Sequence, residues 1–407
     1  MRKYLSILFV TLFCACQDQV TLKQNNFKTS QSENFVATDD AFKLASAQAP
    51  LLNSKDGKSG RKKIKSTFEV HPDRSGTSMY IINYDGGGFI IVAADNRIDP
   101  ILAYSDTNSF PTDQQMLPQG ILGWMSAVHN TINKIRAANP EQGVVLKNQW
   151  KRYSENPSVL TGDGRLASTI TIGDCNMGDS SFEERTTVNP LTASTWNQNA
   201  NYNTECPALG CSANGGRAWV GCVPVATGQI MRFYQYPTSL NWAEMPLTNS
   251  TPTTAALLRD IGNRLQTTYG CDASSTTNAN IKGTLASYGY PMPSDGNYNF
   301  WTVASEIQNG RPVILGGYHD TQWWIFGTQN GHTWVADGLI LSRYYSCSPD
   351  PNTPGEWVAV DQGYSALLYM NWGWGGTANA WYSANNFNPS GYTYNVQPFQ
   401  VVNIRKP

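Results

Sequence analysis

One stretch constrains this chain more than any other: Gly221-Cys222-Val223-Pro224-Val225-Ala226-Thr227-Gly228-Gln229-Ile230-Met231. Val223, Ala226, Ile230 and Phe233 recur at helical spacing and define one apolar face. Pro224 suits a first helical turn, where its missing N–H costs nothing. Tyr236-Pro237 predicts the stop. Cys222 then stands at the mouth of a helix, where unpaired N–H groups and the positive end of the dipole favour thiolate over thiol. A lone cysteine before a core helix is more often a buried structural residue. The chemical reading therefore depends on what the rest of the chain supplies.

A length of 407 residues exceeds one ordinary domain and leads us to expect two folded units behind a leader. Only 14% of residues are charged and the formal net charge is −1, so there is no basic surplus to hold nucleic acid. Aromatic content is 12%, with 13 Trp, and there are 35 Gly, which suggests an extracytoplasmic protein of strands and loops. Arg2 and Lys3 precede a short apolar run, Tyr4 to Phe13, as in a signal peptide. The following Cys14-Ala15-Cys16 is similar to a bacterial lipoprotein cleavage box. We expect a lipidated Cys16 to be the chain's contact with the membrane. Phe13, where Leu is usual, keeps plain secretion as the alternative. Six further cysteines follow, at 175, 206, 211, 222, 271 and 347. If Cys222 stays a thiol, the other five cannot all pair among themselves. Cys206 and Cys211 are close enough to bridge a short loop, but spacing leaves the pattern open. No Cys/His cluster has zinc spacing, so no structural metal is expected, and a Cys–His hydrolase would need no organic cofactor.

After a polar tether, Thr38-Asp39-Asp40 predicts a helix cap ahead of Ala41 to Ala45. Lys55 to Lys65 reads as a solvated basic loop. Strands are predicted at Thr67 to Val70, Met79 to Tyr84, Phe89 to Ala94 and Pro100 to Ser105, with Asp85-Gly86-Gly87-Gly88 as a hairpin turn. Ile121, Trp124, Met125, Val128, Ile132 and Ile135 predict a helix closed by Asn139-Pro140. This is a small α+β unit. From about 150 to 188, Ser, Thr, Gly and Asp dominate, the composition of an exposed, cleavable linker. A larger domain follows, with a helix predicted from Thr254 to Thr268 and strands after Pro312.

A thiol nucleophile needs an imidazole to take its proton and return one to the leaving group. Of the two histidines in the larger domain, His332 opens an apolar strand directly after Gly331, so its ring can project into a cleft. His319 follows Gly316-Gly317-Tyr318 in a polar loop and reads as a rim residue. The imidazole must itself be oriented by an acceptor. Asn371, delivered by Leu367 to Met370 to the turn Trp372-Gly373-Trp374-Gly375-Gly376, is the candidate, with Trp372 as a shield against water. Gln198, in Trp196-Asn197-Gln198, is a candidate oxyanion donor alongside the Cys222 N–H. Taken singly, each stretch is equally readable as packing or loop capping.

Together these segments resemble the streptopain family of papain-like secreted bacterial cysteine proteases. The resemblance is carried by Leu191 to Gln198 with Tyr202-Asn203 and Cys206-Pro207, and by Gly221-Cys222-Val223 with Ala226, Gln229-Ile230-Met231 and Tyr236-Pro237. Gly331-His332 with Val335 and Asp337-Gly338 follows, and then Asn371 to Gly376. In the N-terminal unit, Gly88 to Asp95 and Pro100 to Ser105 are similar to the family's inhibitory prodomain. The resemblance implies an α+β chain: a papain-like peptidase domain, with a helical lobe bearing Cys222 and an antiparallel β lobe bearing His332, preceded by the small α+β prodomain. With the leader and linker read from composition, the expected segments are 1–16 (lipoprotein-type signal), 17–150 (tether and prodomain), 151–187 (activation linker) and 188–407 (peptidase). It also implies a zymogen that yields an endopeptidase, with protein or peptide substrates, a preference for an apolar side chain two residues before the cut, and its own prodomain as inhibitor. Pro224-Val225 and Thr227-Gly228 depart from the small residues expected after the cysteine, and Gly228 inside a helix costs about 1 kcal/mol relative to Ala. Tyr344 to Trp357 reads as an insertion at the substrate rim. Two rivals stand beside this reading: an acyl-transferase or amidase on the same scaffold, and a non-catalytic binding module on a decayed one.

Overall fold

The computed structural model describes residues 32–51, 60–72, 76–112, 119–155, 167–175, 180–277, 280–291, 293–318, 331–384 and 399–407. The leader with Cys14 and Cys16, and His319, lie outside them. The first part of the chain contributes α1 (Thr38–Ala47), strands β1 (Ile64–Val70), β2 (Met79–Tyr84), β3 (Phe89–Ala93) and β4 (Ile101–Ser105), α2 (Gln119–Ala138) and α3 (Val144–Glu155). Next come β5 (Ala167–Ile172) and β6 (Ser181–Val188). The remainder supplies α4 (Cys222–Tyr234), α5 (Pro252–Arg264), α6 (Asn280–Ser287), β7 (Ser294–Asn297), α7 (Phe300–Gln308), β8 (Val313–Tyr318), β9 (Gly331–Pro349), β10 (Trp357–Asn371), β11 (Ala380–Ser383) and β12 (Phe399–Val402).

The N-terminal strands form an antiparallel meander whose side chains alternate between two cores. Met79, Ile81, Phe89 and Ile91 face Ile121, Trp124, Met125, Val128 and Ile132 of α2. Tyr80, Ile82, Tyr84, Ile90 and Val92 face Ala41, Leu44 and Ala45 of α1. Burial on both faces explains why these strands read as continuous apolar runs. The expected cap of α1 falls one step off: Thr38 is already helical, and Ala37 holds the cap position without a side-chain hydrogen bond.

The meander does not end at the prodomain. β4 pairs with β11, Tyr104 opposite Trp381 and Ala103 opposite Tyr382. The sheet therefore runs β1-β2-β3-β4-β11-β10-β9-β8-β12-β7 through both parts of the chain. On the other side, α4 packs against α5, α6, β8 and β9. Its buried face joins Trp196, Leu257, Leu258, Ile261 and Leu285 in a separate core. The helix predicted from Thr254 starts earlier, at Pro252, because the Thr251 hydroxyl accepts from the Thr254 N–H.

The stretch expected as a linker, 151–187, carries regular structure at both of its ends. α3 runs to Glu155, and β6 pairs with β9 from Ser181 opposite Ser346 to Val188 opposite Leu339. β5 pairs with β6. Cys175 is disulfide-bonded to Cys347 and Cys211 to Cys271, leaving Cys206 and Cys222 as free thiols. The linker composition misleads because the inward positions of β6 are polar: Glu183, Arg185 and Thr187 are buried. Arg185 pairs with Glu183 at 2.9 Å, and Arg152 of α3 also meets Glu183. Pairing makes such burial tolerable. The apparent insertion at Tyr344 to Trp357 is the far end of the β9–β10 hairpin. Fifteen residues of strand put Cys347 about 50 Å along β9 from His332, far from any substrate rim beside it.

Candidate active site

The helix that opens with Cys222 begins where the sequence placed it. Gly221 has φ +96°, a conformation that L side chains rarely adopt, and its carbonyl accepts the first helical bond from Val225 at 3.3 Å. Cys222 is the first helical residue, and its own N–H and that of Val223 both bond to the sulfur. The backbone and side chain of Thr333, on β9, bond to it as well. All four contacts favour thiolate, but burial outweighs them and pushes the Cys222 thiol up.

His332 lies on the first turn of strand after Gly331 and is buried. Its Nε2 meets the backbone carbonyl of Trp372 at 2.9 Å. A carbonyl only accepts, so Nε2 carries the proton and Nδ1 holds the lone pair of the neutral ring. Two indoles enclose the imidazole, Trp334 stacked at 6.2 Å and Trp372 tilted at 6.2 Å. Desolvation brings the His332 pKa down to about 4, against a smaller opposing effect of the Trp372 carbonyl. Near neutral pH the thiol and the imidazole are thus both held in their uncharged forms.

Asn371 does not take the place expected of it. Its Nδ2 donates to the Ser194 carbonyl at 2.7 Å and to Gln229 Oε1 at 3.2 Å, and its Oδ1 accepts from Gln229 Nε2 at 3.3 Å. The acceptor on the His332 ring is the carbonyl of the next residue, Trp372. The reason is local: Asn371 is buried facing α4, and a buried carboxamide goes to the partner that satisfies both its ends. Gln198 is buried, its backbone carbonyl accepting from Val220 N at 3.0 Å, two residues before Cys222. Its N–H is turned by Asn197 Oδ1 at 2.7 Å. Among the described residues its side-chain amide has no hydrogen-bond partner.

The prodomain reaches this region. Trp124 of α2 meets Tyr382 edge-on at 4.9 Å, and Tyr382 meets Trp372 at 5.3 Å. α2 packs against β8 and β9. Asn108 Nδ2 donates to the Asn379 carbonyl at 2.7 Å, and Asn379 Oδ1 accepts from Trp372 N at 3.0 Å. Sequence reasoning missed Thr333, Asn379 and Gln229. Gln229 alone left a visible signal, a polar residue inside an otherwise apolar helix face, seven positions after Cys222. Among the described residues, no three His, Cys, Asp or Glu side chains are grouped to hold a metal.

The fold and the site define a papain-like cysteine peptidase with an N-terminal inhibitor prodomain. A family model described as the Spi protease inhibitor matches residues 33–132, and one described as the Peptidase C10 family matches 196–241 and 238–382. Residues 33–132 and 196–382 thus carry the likeness to an inhibitor prodomain followed by a peptidase of that family. Streptopain of Streptococcus pyogenes is 22% identical over 423 residues, covering 90% of this chain and 87% of its own. Thiol protease/hemagglutinin PrtT of Porphyromonas gingivalis is 22% identical over 343 residues, 74% of this chain and 33% of that protein. A fragment of Prevotella intermedia prointerpain A shares the fold, with a TM-score of 0.54 at 20% identity, over 85% of this chain and 100% of the fragment.

Proposed function

We propose that the chain is the zymogen of an endopeptidase that works through a Cys222 thiolate and a His332 imidazolium. The observation that carries this reading is the Nε2–H bond to the Trp372 carbonyl, because it leaves Nδ1 as the nitrogen available to the thiol proton. In the released enzyme, water and substrate return to the site, the desolvation that neutralises both groups falls, and the proton moves from Sγ to Nδ1. The thiolate attacks the scissile carbonyl carbon. The resulting oxyanion is met by the Cys222 N–H and the Gln198 amide. Nδ1–H protonates the leaving amine as the C–N bond breaks, giving a thioester. Water then gives its proton to Nδ1 and attacks the thioester carbon, and Sγ leaves with the electrons of the C–S bond. Trp372 supplies the orienting carbonyl and an indole that limits water.

The leader reading belongs here too: a lipidated Cys16 would tether the zymogen at the bacterial envelope, or the chain is secreted free. Among the described residues no helix is long and apolar enough to cross a membrane. The experiment is alkylation of Cys222 by iodoacetamide across pH 4 to 9, before and after limited trypsin digestion. A slow, high-pH profile that becomes fast at neutral pH on digestion fits the reading. A site that stays slow, with no peptide cleavage, contradicts it. Supplying a primary amine with the peptide separates hydrolysis from transfer by the mass of the product.

A further inference from the structure

Gln229 lies seven positions after Cys222, two turns along α4 and on nearly the same face. It is fully buried. Its Oε1 accepts from Trp196 N at 3.1 Å, from the Ser194 hydroxyl at 3.3 Å and from Asn371 Nδ2 at 3.2 Å. Its Nε2 donates to Asn371 Oδ1 at 3.3 Å. The Asn371 carboxamide closes the circle by donating to Ser194 O and accepting from Gly373 N at 3.3 Å. One side chain therefore ties together three segments. They are the helix that starts with Cys222, the loop that continues two residues past Trp196 to Gln198, and the end of β10, whose next carbonyl holds His332.

We propose that Gln229 is a positioning residue of this peptidase, paired with Asn371 so that the Trp372 carbonyl, and through it the His332 ring, is registered against Cys222. This rests on the active-site reading above. Gln229 touches no reacting atom. Its effect is on the geometry from which the proton is passed, and a misplacement of this kind lowers turnover more than substrate binding. A carboxamide pair suits the task because each amide has one donating and one accepting end, so two hydrogen bonds fix both distance and rotation. Inside a dry core neither amide can be left half-paired without cost.

The test uses the full chain, activated by trypsin and titrated for live sites with an irreversible thiol reagent, comparing the parent with Gln229→Met, Asn371→Ser and the double variant. The expected result for Gln229→Met is a fall in kcat per titrated site of about 30- to 100-fold, with KM within a factor of about 2. The acid limb of Cys222 alkylation should move to higher pH. The double variant should be no worse than the more damaged single one, as for two residues acting as a unit. If Gln229→Met does not fold, Asn371→Ser reports on the same pair from β10. Parent-like kcat per site with an unmoved alkylation profile, in whichever variant folds, overturns the proposal even if less protein is recovered. A parent that neither turns over nor shows the low-pH limb defeats the active-site reading itself, and the proposal with it.

Discussion

His332 donates from Nε2 to the Trp372 carbonyl at 2.9 Å while burial holds the ring's pKa near 4. The same contact that fixes the ring's tautomer therefore coexists with a state in which it carries no charge. An unfolded histidine titrates near 6.5. Between these values the unfolded chain binds the extra proton, so folded-state stability is complete above about pH 6.5 and is lost as the pH falls towards 4. The shift is worth on the order of 3 kcal/mol. Urea unfolding of Cys222→Ala proenzyme with and without His332→Gln should show the difference between the two shrinking as the pH falls from 7 to 4.5. Asp337, buried and raised to about 7, tilts both proteins in the opposite sense and cancels in that comparison. A difference that does not change with pH contradicts the buried neutral ring.

Gln198 offers a test of the acyl-transfer geometry. The residue is largely buried, and its backbone carbonyl accepts from Val220, two positions before Cys222. Replacing it by Ala should lower kcat of the released peptidase by about 100- to 1000-fold. KM should change little, and Cys222 should keep its alkylation rate. Equal loss in kcat and alkylation would instead assign Gln198 to the shape of the site.

Gly228 explains itself only in three dimensions. By helix propensity, Gly228→Ala should stabilise by about 1 kcal/mol. A Cβ there would lie 2.8 Å from Leu258 Cδ2 and 3.1 Å from Trp196 Cζ3. The fully buried Trp196 cannot easily retreat. The net effect should be a loss of roughly 1–2 kcal/mol, read as a lower urea midpoint with unchanged slope.

The Cys175–Cys347 bond fixes what belongs to the released enzyme. β5 and β6 extend the β9–β10 hairpin, so the activating cut should fall between residues 155 and 167 and leave Cys175 on the peptidase. Processed protein should then lose its prodomain on non-reducing and reducing gels alike. A cut after Cys175 would keep the two pieces joined until reductant is added. Replacing both cysteines by Ala should cost roughly 2–5 kcal/mol of stability.

Much of this architecture was readable in advance because it depends on local rules. The β2 to β4 meander and α2 have strong periodicity, and Cys222 and His332 each follow a glycine at the start of an element. The failures share one cause, pairing across distance. Sequence order shows that Asn371 and the imidazole arrive together, not which atom of the turn reaches the ring first. The Trp372 carbonyl took the role, and carbonyls have no signature in a sequence. The β6 strand looked like a linker because its buried face is built from Glu183 and Arg185, whose partners lie on β6 itself, on α3 and on β9. The disulfides, 172 and 60 residues apart in sequence, were beyond any spacing rule.

The central claim, that Cys222 is the nucleophile of a self-contained zymogen, is tested most directly by intact mass. Chain lacking residues 1–16 is incubated beside its Cys222→Ala counterpart, then given trace trypsin and a peptide substrate. The account predicts that the parent loses roughly 15–20 kDa from its N-terminus, by its own cut or by trypsin between α3 and β5. It then cleaves the peptide and is labelled by a thiol reagent at Cys222, the buried Cys206 staying unreacted, while the counterpart can be trimmed but cleaves nothing. A trimmed Cys222→Ala protein that hydrolyses the peptide at the parent's rate would contradict it.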